Sequence, residues 1–144
     1  MIQERTDPID PDQEAKRAAN SRIRGMKLLT AELKKRLPPL HGQESRGGQA
    51  IAYVKWFTPD SSWTWYVTEG DPIQDPTGRV VDYTLFGLVD GLEKELGYFR
   101  LSEIESVRGP MGLPIERDLY WQPKTLAEIA PELFQSANQA EGSP

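Results

Sequence analysis

All thirteen aromatic side chains of this chain lie between Tyr53 and Phe134. Because aromatic side chains supply much of the buried area of a small domain, the core has to be formed mainly by residues after position 50. Charge divides the chain at nearly the same place: residues 1–48 carry ten Lys or Arg and seven Asp or Glu, and the remainder carries seven and fifteen. The first part therefore has a net charge of +3 and the second of −8, and we expect the two parts to differ in structure and in role.

The length of 144 residues corresponds to one ordinary domain. We expect residues 1–25 to be a basic, flexible N-terminal segment and residues 26–134 to be a single α+β domain. Residues 135–144 (QSANQAEGSP) are small and polar, which predicts a disordered tail. No apolar run approaches the roughly 18 residues that a membrane helix needs, so we expect a cytoplasmic protein with no membrane partner.

Strand patterns begin after residue 50. Residues 50–57 (AIAYVKWF) and 63–68 (WTWYVT) are rich in β-branched and aromatic side chains and are separated by a turn with Pro and Asp, which predicts a β-hairpin. In its second strand, alternation places Trp63, Trp65 and Val67 on one face. Residues 69–78 contain Pro and Gly and indicate a loop, and further strands are predicted near 80–89 and 96–101.

Helix patterns flank these strands. Residues 13–24 are helix formers that nearly lack an apolar face, and residues 30–37 form a better helix that Thr30 can cap. Ser102-x-x-Glu105 and Thr125-x-x-Glu128 both fit the capping box that begins a helix. Together the patterns predict an α+β fold in which an antiparallel sheet of about four strands has helices packed mainly on one face.

The absence of Cys and the presence of a single histidine, His41, exclude much catalytic chemistry. Disulfides, thiolate ligands, a cysteine nucleophile and a zinc site with several imidazoles are all impossible. No phosphate-binding loop, dinucleotide fingerprint or nucleophile elbow occurs, and His41 lies in a glycine-bearing loop where we predict no catalytic role. We therefore expect no enzyme, no cofactor and no metal; an enzyme that relies on carboxylates or His41 is the least favoured alternative.

The basic segment 16–36 is the first candidate site. It holds eight Lys or Arg and one acid, a density that can follow a phosphate backbone. Its candidate contacts to nucleic acid are Lys16, Arg17, Arg22, Arg24 and Lys27. The favoured interpretation is nevertheless a solvated helix face, which could dock on the acidic remainder of the chain. The segment has no aromatic side chain on which an unpaired base could stack.

The second candidate is the loop 108–118 (RGPMGLPIERD), in which Gly and Pro alternate with charges. Rigid loops that display charges often carry function, although a connector whose charges pair with each other has the same pattern. Together with the aromatic hairpin, this loop predicts a surface that binds a protein partner. Its candidate residues are Trp63, Trp65, Glu69, Arg108, Glu116, Arg117 and Asp118. An acidic surface of this kind could also imitate the phosphates of DNA.

Several blocks, in order, resemble the bacterial family known as domain of unknown function 2958. They are LLTAELKKRLPPL at 28–40, VKWFTPD at 54–60, WTWYVTE at 63–69, FGLVDG at 86–91, ELGYF at 95–99 and LSEIESVRGPMGLPIERDLY at 101–120. The resemblance covers about residues 28–128 and supplies no catalytic residues. It implies a setting on plasmids, conjugative elements and phage-like islands.

Two functional hypotheses follow from the residues and the resemblance together. The preferred one is a non-enzymatic binding protein of a mobile genetic element that acts through a protein partner, with counter-defence by the acidic surface as one specific form. The alternative is a nucleic-acid-binding accessory protein that uses residues 16–36.

Overall fold

The computed structural model describes residues 2–134. Its α-helices are α1 (Pro11–Arg24), α2 (Ala31–Arg36), α3 (Leu101–Ser106) and α4 (Leu126–Ile129), and a 3-10 helix spans Glu44–Gln49. Its strands are β1 (Ile51–Ala52), β2 (Val54–Phe57), β3 (Thr64–Gln74), β4 (Val80–Asp90), β5 (Lys94–Arg100), β6 (Glu116–Arg117) and β7 (Lys124–Thr125). No helix in this part of the chain is long and apolar enough to cross a membrane.

The main sheet has five strands in the order β5-β4-β3-β2-β6, and every neighbouring pair is antiparallel. The predicted α+β fold with an antiparallel sheet is thereby confirmed, as is the hairpin of β2 and β3. The fifth strand, β6, arises from the segment that was predicted to be a loop, and it pairs Arg117 with Trp56. A separate two-stranded sheet joins β1 to β7.

The predicted loop over residues 69–78 is wrong in its first half, because β3 continues to Gln74 and pairs with β4 along that length. Pro72 lacks a backbone N–H and could not bond a strand on its other side. No such strand is required there, because β2 pairs with β3 only over Thr64–Val67. The later part of β3 therefore behaves as an edge, where Pro is tolerated. Only the tight turn from Asp75 to Arg79 remains a loop.

The sheet has a packed cluster on each face. On one face, Trp56 and Val67 are fully buried, and the indole N–H of Trp56 donates to the carbonyl of Leu28 at 2.8 Å. The other members of this cluster come from the sheet, from both sides of α2 and from α3: Leu28, Leu29, Leu37, Val54, Trp65, Leu85, Val89, Phe99, Leu101, Ile104 and Ile115. On the other face, Leu88 packs with Ala50, Ala52, Leu126 and Ala130 beneath the 3-10 helix and α4.

Within residues 1–25, which were predicted to be a flexible segment, the structure describes the helix α1. The carboxylate of Asp10 accepts from the backbone N–H of Gln13 at 2.7 Å and caps α1. α1 packs on α3 through polar side chains, since Asn20 and Arg24 are both buried. A helix that docks through polar groups has no apolar stripe, so its docking leaves no sequence signal. The division at residue 26 stays a prediction, and the tail at 135–144 lies outside the described residues.

Two of the three predicted helix caps are confirmed. Thr30 accepts from Leu33 N at 3.2 Å, and the Thr125 and Glu128 box has both reciprocal bonds, at 3.2 and 3.1 Å. The box predicted at Ser102 is wrong, because the cap of α3 is Arg100, two residues earlier, and Glu103 accepts from the backbone N–H of Arg100 at 3.1 Å. Ser102 is buried and bonds a carboxylate of β4 instead.

Candidate functional site

Trp63 marks one end of the sheet, where the β2–β3 turn, the β4–β5 turn and the loop after α3 meet. Its side chain stacks on buried Trp65, with ring centroids 6.0 Å apart and the planes 28° from parallel. The ring lies directly over Gly91, where a Cβ atom would come within 2.3 Å of it. Trp63 itself stays 37% exposed, so a large aromatic ring is held in place while part of it faces solvent.

The turns that meet at this ring carry exposed apolar side chains. Leu92, in the β4–β5 turn, is 93% exposed, and Met111, in the loop after α3, is 82% exposed. Shallow hollows lie on both sides of Trp63, one against Leu92 and the other against Val107. We call these exposed apolar residues the Trp63 surface: Trp63, Leu92, Val107, Met111 and Leu113. Exposed apolar side chains that gather in this way mark interaction sites more often than single ones do.

Asp60 organises the loop that carries part of the Trp63 surface. One carboxylate oxygen, Oδ2, accepts from the backbone N–H of Met111 at 2.8 Å and from that of Leu113 at 3.4 Å. Gly109 lies so close that a Cβ atom would be 1.7 Å from Oδ1. Within the loop, Gly109 N donates to the carbonyl of Leu113 at 2.8 Å. The loop is therefore a compact turn that presents its apolar side chains from a defined backbone.

The charges beside the Trp63 surface are mostly negative. Glu93 and Glu95 line the hollow next to Leu92, and Asp90 ends β4 just before it. Arg108 lies on the opposite side, where its Nε donates to the side-chain oxygen of Asn20 at 2.6 Å. The surface thus combines apolar side chains with an acidic side.

The structure divides the predicted partner-binding residues into three groups. Trp63, Trp65 and Arg108 line the hollow next to Val107, although Trp65 itself is buried. Glu69 is buried elsewhere, with one oxygen accepting from His41 N at 2.8 Å and the other from Gln43 N at 2.9 Å. That carboxylate holds the segment before the 3-10 helix and is occupied by the fold.

The third group lies along β6 and is engaged with neighbouring chain segments. Arg117 Nε donates to the carbonyl of Lys27 at 2.9 Å. Asp118 forms an ion pair with Lys55 at 3.7 Å and accepts from the backbone N–H of Tyr120 at 3.0 Å. Glu116 belongs to the same strand and is half-buried. These side chains fix β6 to the sheet rather than converge with Trp63.

The candidate nucleic-acid contacts are also divided. Arg17 pairs with Glu105 at 2.7 Å, and Arg24 is buried and donates to the carbonyls of Ile115 and Glu105. Burial acts to lower the pKa of Arg17, but its hydrogen bond to Glu105 and the charge of that residue raise it overall. For Arg24, burial lowers the pKa and outweighs the charges of Glu105 and Glu116. Both guanidinium groups hold the helices together.

The remaining basic candidates face solvent. Lys16 is exposed and pairs with Asp12 one turn earlier, at 3.1 Å, while Arg22 and Lys27 are exposed as well. Exposed ion pairs are weak, so Lys16 can exchange its partner at little cost.

The sequence patterns did not predict Leu92 or Asp60 as parts of a site, and they included Met111 only as a member of the candidate loop 108–118, not as a contact residue. Leu92 and Met111 stand alone among turn residues, where an apolar side chain gives no periodic signal. Asp60 matches an ordinary turn position. An apolar residue inside a Gly-bearing turn is the one local sign that could have drawn attention to them. Among residues 2–134, no group of three or more His, Asp or Glu side chains could hold a metal ion.

Comparison with known families gives a match over most of the chain. A family model described as "Protein of unknown function (DUF2958)" matches residues 28–141. The matched region contains the whole Trp63 surface and leaves α1 outside it. Comparisons with curated proteins and with solved structures found no match.

Proposed function

Since the chain belongs to the DUF2958 family, which is described as proteins of unknown function, we propose that it is a non-enzymatic protein that binds a protein partner through the Trp63 surface. The observation that carries this proposal is that Trp63, Leu92 and Met111 are all exposed on the turns that meet at one end of the sheet. Trp is among the residues that most often dominate the energy of protein interfaces.

The backbone beneath this surface supports tight binding. Asp60 fixes Met111 and Leu113 through their N–H groups, and Gly91 seats the Trp63 ring. Binding therefore orders little additional backbone. Because ordering loops and side chains on association costs free energy, a surface that is already ordered binds more tightly. The surface needs no rearrangement before a partner docks.

Charge defines the chemistry of the partner. Because Glu93 and Glu95 lie beside the apolar residues, the complementary surface carries apolar side chains next to Lys or Arg. The family resemblance implies a setting on a mobile genetic element. In that setting, a nucleic-acid-binding protein of the host, with its Lys and Arg side chains, is a partner of matching charge. Counter-defence by an acidic surface is the form of the proposal that follows from that setting.

Site-specific photocrosslinking tests the proposal. A photoreactive amino acid at Met111 should crosslink one partner in cells that make the protein, and the same group at Tyr120 should not. Tyr120 is a matched control, because it is 90% exposed and lies outside the Trp63 surface. The Trp63→Ser variant should abolish the crosslink at position 111, whereas Leu119→Ser should leave it intact. Equal crosslinking from positions 111 and 120, or full crosslinking with Trp63→Ser, would contradict the proposal.

The alternative, nucleic-acid binding through residues 16–36, is a second proposal that the exposure of Lys16, Arg22 and Lys27 supports. It is weaker, because Arg17 and Arg24 are engaged within the fold. The direct test replaces the three exposed residues with Gln and leaves α1 in place, with DNA and RNA titrations at roughly 50 and 200 mM salt. Binding that falls steeply with salt and disappears in this variant supports the alternative, and absent or unchanged binding eliminates it.

A further inference from the structure

A cavity of about 210 Å³ lies on the face of the sheet that the 3-10 helix and α4 cover. It is smaller than the roughly 300–1,000 Å³ of pockets that take drug-sized ligands. Four aromatic rings line it, contributed by four different parts of the chain: His41, Phe86, Tyr98 and Phe134. Aliphatic side chains from the second core cluster close its floor.

The fold fixes the position of these rings. Phe86 and Tyr98 are directly paired across β4 and β5, and their rings meet edge to face with centroids 5.0 Å apart. His41 meets Tyr98 edge to face at 6.5 Å. Its backbone has a φ of 71°, a left-handed conformation that is costly for a residue other than Gly, and the bond from its N–H to Glu69 holds it there. The wall of rings is therefore preformed.

The charges that line the cavity are all negative. Glu44 and Glu69 are among the lining residues, and no Lys or Arg is. The Glu44 carboxylate is largely exposed and lies 3.4 Å from His41 Nδ1. Burial raises the pKa of the Tyr98 phenol, and the charges of Glu4, Glu69 and Glu44 raise it further. The ring of Tyr98 thus lies in a negative potential.

We propose that this cavity binds an alkylammonium group, with its apolar carbons against the rings of Phe86, Tyr98 and Phe134 and its positive charge toward Glu44. A cation over aromatic faces is attracted by their quadrupoles, and the attraction increases when the cation leaves water. An aromatic wall with a carboxylate at its edge satisfies both halves of such a group. A neutral apolar ligand would gain no electrostatic attraction from the carboxylates, and an anion would be repelled by them.

The same group can belong to a free small amine or to a lysine side chain of a protein. Both present a positive nitrogen on a short aliphatic chain, which suits the size of the cavity. This site does not overlap with the Trp63 surface, so the two proposals can fail or succeed separately.

A nuclear magnetic resonance titration of the isotope-labelled full chain tests the inference. Choline is the cationic probe, and 3,3-dimethylbutan-1-ol is its neutral analogue of nearly equal shape. We expect choline to shift the amide signals of Thr68, Leu96 and Tyr98 in a saturable way and to bind at least about tenfold more tightly than the alcohol. Equal affinity for the two compounds, or no saturable shift with choline, would overturn the inference.

Variants distinguish the ring and the carboxylate from general effects on the fold. Tyr98→Phe keeps the ring and should bind choline as the parent does, whereas Tyr98→Leu should reduce binding at least several-fold. Glu44→Gln should also weaken choline binding, and Glu32→Gln, an exposed change on α2, should not. Unaltered binding in Glu44→Gln and Tyr98→Leu would contradict the assignment.

A last comparison identifies the source of the group. The tripeptide Ala-Lys-Ala, with blocked ends, is titrated beside choline and beside the same tripeptide carrying norleucine. Tighter binding of the lysine peptide than of choline assigns the cavity to a protein side chain, and the reverse order assigns it to a free amine. The norleucine peptide should bind most weakly, and binding equal to that of the lysine peptide would overturn the inference.

Discussion

Asp82 and Asp60 each organise a turn next to the sheet, yet their surroundings differ. Asp82 is fully enclosed: one oxygen accepts from Tyr83 N at 2.8 Å and Ser102 N at 2.9 Å, and the other pairs with Arg100 Nε at 2.9 Å and Ser102 Oγ at 2.6 Å. Asp60 is paired through Oδ2 alone, and its buried Oδ1 has no hydrogen-bond partner among the described residues.

The difference separates a region that holds the fold from a region that displays a surface. A buried carboxylate with every oxygen paired locks the segments it joins, here β4, the start of α3 and, through Arg100, the carbonyl of Asp7. A carboxylate that accepts hydrogen bonds through only one oxygen, as Asp60 does, can fix the backbone of a loop while the side chains of that loop stay exposed.

Asp82→Ala should lower the free energy of unfolding by about 3–5 kcal/mol, because it leaves the buried guanidinium of Arg100 without its charge partner. Urea denaturation followed by tryptophan fluorescence measures the change. Asp118→Ala is the matched control, since its pair with Lys55 is more exposed and longer, and it should cost no more than about 1 kcal/mol. Equal losses in the two variants would show that the Asp82 cluster does not stabilise the fold in this way.

Trp63→Ala should weaken binding to the crosslinked partner by at least about 2 kcal/mol, roughly thirtyfold, while costing about 1–2 kcal/mol in stability. Trp56→Ala provides the contrast, because its buried indole packs on Phe99 and bonds Leu28, and it should cost about 3–5 kcal/mol in stability. Calorimetry of binding and urea denaturation give the two numbers for each variant. A Trp63 variant that binds normally would remove this residue from the interface.

Asp60→Ala should cost about 1–2 kcal/mol in stability, because the two lost bonds to a charged acceptor are partly offset by removal of the unpaired Oδ1. Its sharper effect is local. Amide hydrogen exchange of Met111 should accelerate at least about tenfold, while that of Val67 in β3 changes only as far as global stability does. Unchanged exchange at Met111 would mean that the loop is held by its own backbone bonds.

Asp75→Asn should give the smallest change, and one that depends on pH. The hydrogen bond from the Thr77 hydroxyl, at 2.6 Å, is the main cause that lowers the pKa of Asp75 in the folded state. Because the folded pKa is below the unfolded one, the ionised carboxylate stabilises the fold above the unfolded pKa of about 4, and the effect is lost as the pH falls through the folded pKa. The stability difference between parent and variant should therefore be present at pH 7 and vanish in acid, and a difference independent of pH would contradict this origin.

The parts of the fold that sequence patterns predicted are those with local alternation or a local cap. Burial alternates over β2 and over the first four residues of β3, and Thr125 has its reciprocal Glu128. β6 escaped prediction because two residues have no period, and it forms only through its partner strand. The docking of α1 depends on Asn20, whose side chain reaches backbone carbonyls of residues 105 and 107 that no local pattern can indicate.

The candidate site follows the same division. Trp63 was predictable as a member of the aromatic strand, whereas its exposure and its neighbours depend on which turns meet at that end of the sheet. Glu69 was predicted to belong to the partner-binding surface, but its carboxylate accepts hydrogen bonds from the backbone N–H groups of His41 and Gln43 inside the fold. Long-range packing decides both the exposure of Trp63 and the burial of Glu69, and the spacing of residues in the sequence carries no information about it.

The first residues of the chain have a protective role that follows from one short pairing. The backbone of Ile2 forms a parallel β-bridge with Gly97. The carbonyl of Ile2 accepts from Tyr98 N at 2.9 Å, and the N–H of Ile2 donates to the carbonyl of Leu96 at 3.3 Å. β5 is the outermost strand of the sheet on that side, and unpaired strands of this kind recruit other chains and start polymerisation. Ile2 occupies the middle of that edge, where a Cβ at Gly97 would be 2.3 Å from it. Ile2 thus covers part of the β5 edge, and its loss would leave the backbone groups of Leu96 and Tyr98 open to pairing with another chain.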